Sequence, residues 1–327
     1  MYSPYWCFIR WLYLISKPKI SIIGAGNVGA SAAYRALELD LADVVLLDIV
    51  EGLPQGKALD MTQMLSVTGI SSSVIGTNDY SDTKDSDVVI ITSGLARKPG
   101  MSRDDLISTN TKIIKEVTEQ VVKFSPNSII IVVTNPLDAM TYVAHKVSGF
   151  PSQRVLGMAG ILDSARFKAF LSMELDTSVS KIDTLVLGGH GDDMVPLKSY
   201  TTVSGVSITQ LIENDRLDQI IQRTRDGGAE IVKLLKTGSA FYAPGVSAVE
   251  MAQSILKDQK KLLPCCVYSS GQYGVKDQFV GLPVILSSNG VDKILEIDLN
   301  DSEKKELATS ASHVKELCDL IDSFGIL

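Results

Sequence analysis

The chain has 327 residues, of which 45% are hydrophobic and 21% charged, as is typical of a globular protein of one large or two medium domains. Its formal net charge of −7 argues against a nucleic-acid binder, which usually carries a basic patch. The four cysteines include no C-x-x-C pair, so neither a disulfide framework nor a zinc site is indicated, and a reducing, cytoplasmic location is expected.

Residues 1–16 form an apolar and aromatic segment with Arg10 in its middle. The segment is too short to span a bilayer, and it lacks the basic start and the small-residue cleavage site of a signal peptide. We interpret it as an N-terminal extension of unknown role, and we expect no membrane partner. An organellar targeting role stays open, because no acidic residue precedes Glu38.

Residues 17–148 alternate between short apolar runs and helical patterns. Strands are predicted at 19–24, 44–48, 73–75, 88–92 and 128–134, a turn at 76–81, and helices at 28–39 and 104–124. Strands that are apolar throughout are typical of a parallel sheet covered by helices on both faces. We therefore predict an α/β, doubly wound domain whose ligand crevice lies at the carboxyl ends of the strands.

Residues 149–327 differ in pattern and are predicted to form a C-terminal α+β domain that binds the substrate. Helices are predicted at 163–175, 215–237 and 301–324, and strands at 184–189, 278–286 and 293–299. Because no flexible linker separates the halves, we expect them to pack tightly and to leave a cleft between them.

A glycine-rich run between the first predicted strand and the first predicted helix indicates a cofactor site. The run reads Gly24-Ala25-Gly26-Asn27-Val28-Gly29. In a Rossmann-type domain, Gly24 permits the tight turn, Gly26 lets the backbone approach a pyrophosphate, and Gly29 allows close helix–strand packing. Asp48 closes the next strand, where its carboxylate would accept hydrogen bonds from the adenine ribose and repel the extra phosphate of NADP. The sequence thus predicts an NAD site.

His190 is the candidate acid–base residue among three histidines. It follows a predicted strand and stands between Gly189 and Gly191, which leave room for a ligand against the backbone. Oxidising an alcohol by hydride transfer needs a base for the hydroxyl proton, and histidine serves near neutral pH. His145 and His313 lie in helical patterns and are interpreted as surface or packing residues.

Four further side chains complete the candidate site. Asp163 and Arg166 share one face of a predicted helix, where the carboxylate could orient the imidazole and the guanidinium could bind a substrate carboxylate. A surface ion pair stays open for them. Arg97 and Arg103 lie in a stretch with two glycines and a proline, which indicates a loop that closes over the crevice. A solvated basic loop is the alternative.

Several separated motifs together resemble the lactate/malate dehydrogenase family, and within it the lactate-dehydrogenase-like malate dehydrogenases. The resemblance covers the chain from about Lys17 onwards and includes the strand that ends at Asp48. Its motifs are GAGNVG, GLARKPGMSRDDL, VTNPLD, GMAGILDSARF, LGGHGD and TGSAFYAP. Their order along the chain is more specific than any one motif.

The resemblance implies a role for each matching residue. His190 would exchange the proton and pair with Asp163, and Arg166 would hold the carboxylate beside the reacting carbon. Arg103 would polarise the substrate carbonyl, and Asn135 would contact both the nicotinamide and the substrate. A homotetramer is implied, with a dimer as the alternative.

Arg97 occupies the position that, by this resemblance, discriminates among substrates, with arginine in malate enzymes and glutamine in typical lactate enzymes. An arginine there could pair with the second carboxylate of oxaloacetate, whereas facing the methyl group of pyruvate it would be buried without a partner. Lactate dehydrogenase activity stays the alternative. A metal-dependent NAD-binding hydrolase and a non-catalytic NAD-binding regulator are more remote readings.

Overall fold

The structure is a computed structural model, and it describes residues 17–95 and 102–327. The predicted extension at residues 1–16 and the side chain of Arg97 lie outside the described residues. No helix in the described ranges is both long enough and apolar enough to cross a membrane.

Six parallel strands form the first part of the main sheet. They are β1 Lys19–Ile23, β2 Asp43–Leu47, β3 Val74–Thr77, β4 Val88–Ile91, β5 Ile129–Val132 and β6 Val155–Gly157. Their spatial order is β3-β2-β1-β4-β5-β6, in which β1 pairs with both β2 and β4. This order confirms the doubly wound prediction, and it places a topological switch point between β1 and β4, where ligands bind in such sheets.

Four helices accompany these strands: α1 Asn27–Glu38, α2 Leu53–Thr68, α3 Arg103–Phe124 and α4 Leu137–Ser148. The sequence did not predict α2, because few of its residues are buried and it has no continuous apolar stripe. The turn predicted at 76–81 was placed too early, since Gly76 lies inside β3. A Cβ at Gly76 would lie 2.1 Å from the carbonyl oxygen of Pro54, so this glycine permits close strand–helix contact.

The second half continues the same sheet with antiparallel strands. Its strands are β7 Ile182–Asp183, β8 Val186–Gly188, β9 Met194–Pro196, β10 Thr202–Val203, β11 Val206–Ser207, β12 Lys261–Ser270, β13 Lys276–Ser287 and β14 Gly290–Ile294. In the part of the chain that the structure describes, β6 is followed by β12, β13, β8 and β9, with β14 also on β13, to give 11 strands. A small sheet of β11, β10 and β7 lies apart.

The helices of this half are α5 Gly160–Leu175, α6 Asn214–Arg225, α7 Gly227–Leu235, α8 Tyr242–Leu256 and α9 Asp301–Ser323. The helix predicted at 215–237 is in fact two helices, α6 and α7, and the strand predicted at 293–299 was placed too late. Ser287 pairs with Gly290 across a two-residue turn, and this hairpin pairing sets the start of β14.

Two long elements of this half, α8 and β12, were not predicted, and neither were the short strands β7, β9, β10 and β11. Helix α8 is buried on most of its surface, so it lacks the polar face that marks a surface helix. Strand β12 contains Pro264, which argues against a strand in a sequence, yet β12 pairs along its whole length with β13.

Candidate active site

The glycine-rich turn lies between β1 and α1, and its three glycines meet different surroundings. Gly24 has φ +109°, and a Cβ there would lie 2.6 Å from Thr92 Oγ1. A Cβ on Gly29 would lie 1.8 Å from the carbonyl oxygen of Gly24. The position of a Cβ on Gly26, in contrast, has no described atom within 4 Å. Two glycines therefore serve packing, and the third leaves open space beside the turn.

The start of α1 is suited to an anion. Gly26 is its N-cap, no side chain in the described ranges caps it, and its first turn carries no acidic residue. The amide groups and the positive end of the helix dipole are thus available to a diphosphate. Asn27 and Val28, the first two residues of α1, contribute amides to this end.

Asp48 directly follows β2 and faces this turn. Its Oδ2 accepts a hydrogen bond from the amide of Ala25 at 2.7 Å, and its Oδ1 accepts one from the amide of Val50 at 3.0 Å. Asp48, Gly24 and Gly26 line a cleft of about 900 Å³ that runs along the carboxyl ends of β1, β2 and β4. The turn and the carboxylate fit the diphosphate and the ribose of a dinucleotide.

The structure brings three predicted residues into direct contact. His190 lies just past β8, and its Nδ1 is 2.9 Å from Oδ2 of Asp163. Arg166 donates from Nη1 to Oδ1 of the same carboxylate at 3.2 Å. Asp163 and Arg166 both lie on α5, which confirms that their spacing puts them on one helix face. The Asp163 side chain is only 2% exposed, so the surface ion pair left open by the sequence is excluded.

The Asp163 carboxylate changes the protonation of His190. Burial, the largest single influence, lowers the pKa of His190, but the charge of Asp163 and its hydrogen bond together raise that pKa above its ordinary value. Arg166 lowers the pKa and Asp138 raises it, both by charge. With Nδ1 engaged by Asp163, the Nε2 atom is left to exchange a proton with a ligand.

Arg166 has space next to it because the facing residues lack side chains. A Cβ on Gly227 would lie 3.2 Å from Cδ of Arg166, and one on Gly228 would lie 3.6 Å from its Nη2. The two glycines begin α7, where the predicted long helix is interrupted. They let the guanidinium lie beside the helix end while its side chain stays 14% exposed.

Asn135 follows β5, is exposed, and precedes Pro136 through a cis peptide bond. Its carbonyl oxygen accepts a hydrogen bond from Nδ2 of Asn110 at 2.7 Å. Asn110 also accepts from the amide of Leu95 at 2.8 Å and donates to the carbonyl oxygen of Leu95 at 3.2 Å. Asn110 therefore ties the residue that precedes the Arg97 segment to Asn135.

Arg103 is the first residue of α3 and is exposed. Among the described residues it forms no ion pair with Asp163 and no hydrogen bond with His190. It borders a separate cavity of about 370 Å³ together with Asp193 and His313. Its predicted contact with a substrate carbonyl stays a prediction.

Three buried polar residues around this site were missed by the sequence reasoning. Asn110 lies on the buried face of α3, Asp138 in the first turn of α4, and Ser310 on the buried face of α9. For Asn110 and Ser310 the available signal was a polar residue at helical spacing within an apolar stripe, since each has a buried apolar residue three positions before it and another four positions after it. For Asp138 the only available signal was its position in the NPLD motif.

Cys266 is also closer to the site than the sequence suggested. Its thiol lies beside the Asp138 carboxyl group, whose Oδ2 accepts from the amide of His190 at 2.8 Å. Burial raises the pKa of the Cys266 thiol well above its usual range. The Cys266 thiol therefore stays neutral beside this carboxyl group.

Comparison with known families agrees with this geometry over nearly the whole chain. Residues 18–157 match the NAD binding domain of lactate/malate dehydrogenase. Residues 161–324 match the alpha/beta C-terminal domain of lactate/malate dehydrogenase. The two matches cover the glycine-rich turn and the His190 cluster respectively.

Individual relatives are similar along their full length. The chain is 55% identical to a malate dehydrogenase of Heliobacterium modesticaldum over 93% of this chain and 98% of the relative. A solved malate dehydrogenase of Salinibacter ruber has a TM-score of 0.90 and 52% identity, covering 93% of this chain and 98% of that one. A lactate dehydrogenase of Cryptosporidium parvum, solved with lactic acid and nicotinamide adenine dinucleotide, has a TM-score of 0.92 and 44% identity, covering 94% and 99%.

Proposed function

The chain belongs to the lactate/malate dehydrogenase family, and we propose that it interconverts (S)-malate and oxaloacetate with NAD. The observation that carries the dehydrogenase chemistry of this proposal is the buried contact of His190 with Asp163, beside Arg166. Asp138, which follows Asn135 by three residues, accepts a hydrogen bond from the amide of His190 at the same sheet edge as the glycine-rich turn. We assign residues 17–148 to the cofactor-binding domain and 149–327 to the substrate-binding domain.

The residues of the chain divide the work of the reaction. NAD supplies the hydride acceptor when it is bound. His190 takes the hydroxyl proton of malate at Nε2, and Asp163 stabilises the resulting imidazolium across the 2.9 Å contact. Arg166 binds the carboxylate beside the reacting carbon through its planar guanidinium. Arg103 would polarise the carbonyl, and Asn135 would contact both the nicotinamide and the substrate.

The cofactor preference rests on the end of β2. Asp48 accepts an amide hydrogen bond with each carboxylate oxygen and lines the cleft that begins at the glycine-rich turn. A ribose hydroxyl can share this carboxylate, whereas a 2′-phosphate would meet a like charge without compensation. These contacts support NAD rather than NADP.

The choice of malate rests on Arg97. Oxaloacetate carries a second carboxylate, which needs a cationic partner once it leaves water, and each charge-assisted hydrogen bond contributes about 1.5–3 kcal/mol. Two such bonds correspond to a preference on the order of 10²–10⁴ over pyruvate. Lactate and pyruvate are the second candidate pair, because a relative at 44% identity is a lactate dehydrogenase solved with lactic acid.

The decisive experiment follows the loss of NADH with oxaloacetate and with pyruvate in parallel, for the unmodified enzyme and for Arg97→Gln. We expect a higher kcat/KM for oxaloacetate, and at least a tenfold loss of that preference in the variant. A higher kcat/KM for pyruvate in the unmodified enzyme would refute the malate assignment. An unchanged ratio in the variant would remove Arg97 from it.

The proton-transfer role is tested separately with His190→Ala. We expect turnover to be lost while NADH still binds, as measured by NADH fluorescence. The matched control is His313→Ala, since His313 pairs with Asp193 at the surface. Substantial turnover in His190→Ala would require another base.

We also propose a homotetramer, with a dimer as the alternative, and a cytoplasmic location. Support for association comes from apolar side chains that face solvent on α1 and α8, where Tyr242 is 73% exposed near Tyr34 and Val246. Support for a reducing compartment comes from Cys265 and Cys318, which are buried free thiols. Light scattering of Tyr242→Asp would test the assembly, since a mass unchanged from the unmodified protein would remove this face from the interface.

A further inference from the structure

The backbone of the proposed catalytic histidine is held by two buried side chains from opposite parts of the chain. Asp138 Oδ2 accepts from the amide of His190 at 2.8 Å, and Ser310 Oγ accepts from the amide of Gly189 at 2.7 Å. Asp138 lies in the first turn of α4, in the predicted cofactor domain, and Ser310 lies in the middle of α9. Two successive amides at the end of β8 are thus fixed from two separate helices.

This arrangement is tight on the side facing the core. A Cβ on Gly189 would lie 2.8 Å from a methyl group of Val314, 3.5 Å from Ser310 Oγ and 3.6 Å from Asp138 Oδ2. Asp138 is 5% exposed and Ser310 is 2% exposed, so water cannot readily replace either acceptor. The amides of Gly189 and His190 therefore depend on these two side chains.

We propose that Asp138 and Ser310 are positioning residues, which hold the Gly189–His190 backbone so that the imidazole stays aligned with Asp163. The proposal rests on the proposed proton-transfer role of His190. Neither side chain needs to touch the substrate. Both act through the amides, and the 2.9 Å contact between His190 and Asp163 depends on where those amides lie.

The charged groups around His190 and Asp138 determine the pKa that a titration of His190 would measure. His190 faces Asp163, Arg166 and Asp138. Asp138 faces His190 and Asp163, with the thiols of Cys266 and Cys318 also beside it. Its Oδ1 has no hydrogen-bond partner among the described residues, so Oδ2 carries the contact with the amide. Loss of the Asp138 side chain would both free the amide and remove a carboxyl group that raises the pKa of His190.

The test compares variants that remove an acceptor with one that keeps it. Asp138→Ala and Ser310→Ala each leave one buried amide without a partner, whereas Asp138→Asn retains an oxygen that can accept. The matched control is Ser254→Ala, because Ser254 is a fully buried serine of α8 that donates to the carbonyl oxygen of Leu286 and lies away from His190. Ser310→Ala decides the question if Asp138→Ala does not fold.

Two readouts are needed. The first is kcat/KM for oxaloacetate together with the dissociation constant of NADH. The second is the histidine Hε1 NMR titration of the enzyme without cofactor, in which only three histidines contribute and His190→Ala identifies one. We expect kcat/KM to fall about tenfold or more in Asp138→Ala and about three- to tenfold in Ser310→Ala, with NADH binding unchanged.

The NMR titration should give a lower pKa for His190 in Asp138→Ala and a displaced His190 resonance in Ser310→Ala. Asp138→Asn should stay within about threefold of the unmodified kcat/KM. The proposal is overturned if both alanine variants match the unmodified enzyme, if Asp138→Asn is as damaging as Asp138→Ala, or if Ser254→Ala has an equal effect. Activity that survives His190→Ala would instead refute the proton-transfer role of His190. The NMR titration of the Asp138 and Ser310 variants would still report whether these side chains hold the backbone of His190.

Discussion

Replacing Asp163 with asparagine would remove one charge from the centre of the site with almost no change in shape. Its two oxygens serve two partners, because Oδ2 meets Nδ1 of His190 at 2.9 Å and Oδ1 accepts from Arg166 at 3.2 Å. An amide has only one oxygen, so Asp163→Asn can satisfy one partner alone. If the amide nitrogen faces His190, the proton moves to Nε2 and the neutral imidazole can no longer accept a proton there.

The size of the loss follows from these contacts. A hydrogen bond to a charged group contributes about 1.5–3 kcal/mol, which corresponds to roughly 10–150-fold in rate if the bond is lost in the transition state. The wrong tautomer adds to this loss, and the same substitution in the serine protease triad lowers kcat by about 10⁴. We expect Asp163→Asn to lower kcat/KM by about 10²–10⁴.

The pH dependence of kcat/KM gives a second, independent test of the role of Asp163. The charge and hydrogen bond of Asp163 outweigh burial and raise the pKa of His190, so the pKa falls when the charge is removed. Oxaloacetate reduction needs the imidazolium and declines as pH rises through that pKa. Malate oxidation needs neutral imidazole and declines as pH falls through it. Both limbs should therefore move to lower pH in Asp163→Asn.

The assay measures kcat/KM in both directions from about pH 5 to 9, with the dissociation constant of NADH measured alongside. A suitable control is Glu174→Gln, which removes a carboxylate from the same helix, where Glu174 pairs with Arg216 at the surface. A loss below about tenfold, or limbs that stay at the same pH, would refute the role assigned to Asp163.

Four further substitutions test other parts of the site. Asp48→Ala should weaken NADH binding about tenfold and reduce the preference for NADH over NADPH. Fluorescence titration with both cofactors measures this preference, and an unchanged preference would contradict the role of Asp48. Gly29→Ala should destabilise the fold by about 1–3 kcal/mol in urea unfolding, because its Cβ would lie 1.8 Å from a backbone oxygen, whereas Gly26→Ala should keep its stability and lose NADH affinity. Gly227→Ala should raise KM for oxaloacetate severalfold by displacing Arg166, and an unchanged KM would contradict the contact.

The sequence predicted the cofactor-binding half of the fold well because its strands are buried on both faces. Runs such as VVII at Val88–Ile91 are apolar throughout and are separated by helical patterns, so both type and order could be inferred. The helices α2 and α8 escaped prediction for opposite reasons. Few residues of α2 are buried and most residues of α8 are buried, so neither has the one-sided pattern that identifies a helix.

The candidate site was predictable where its residues lie close together in the chain. Asp163 and Arg166 are three residues apart on one helix, and His190 stands out among glycines. Contacts that join distant segments carried no such signal. Asp138 reaches the amide of His190 over 52 positions, and Ser310 reaches its neighbour over 121. Such hydrogen bonds involve backbone amides, which every residue except proline supplies, so their acceptors leave no mark on the partner sequence.

His190, Asp163 and Arg166 carry out chemistry that malate and lactate share, so another residue must distinguish the two substrates. Both substrates carry a hydroxyl for His190 and a carboxylate for Arg166, so these two side chains bind either one to the same extent. Uniform binding of this kind does not discriminate, since specificity is a difference between two affinities. The discriminating group must meet the second carboxylate of oxaloacetate, and Arg97 is the cation that the sequence offers for it. The ratio of kcat/KM values in Arg97→Gln therefore tests the substrate, whereas Asp163→Asn tests the reaction.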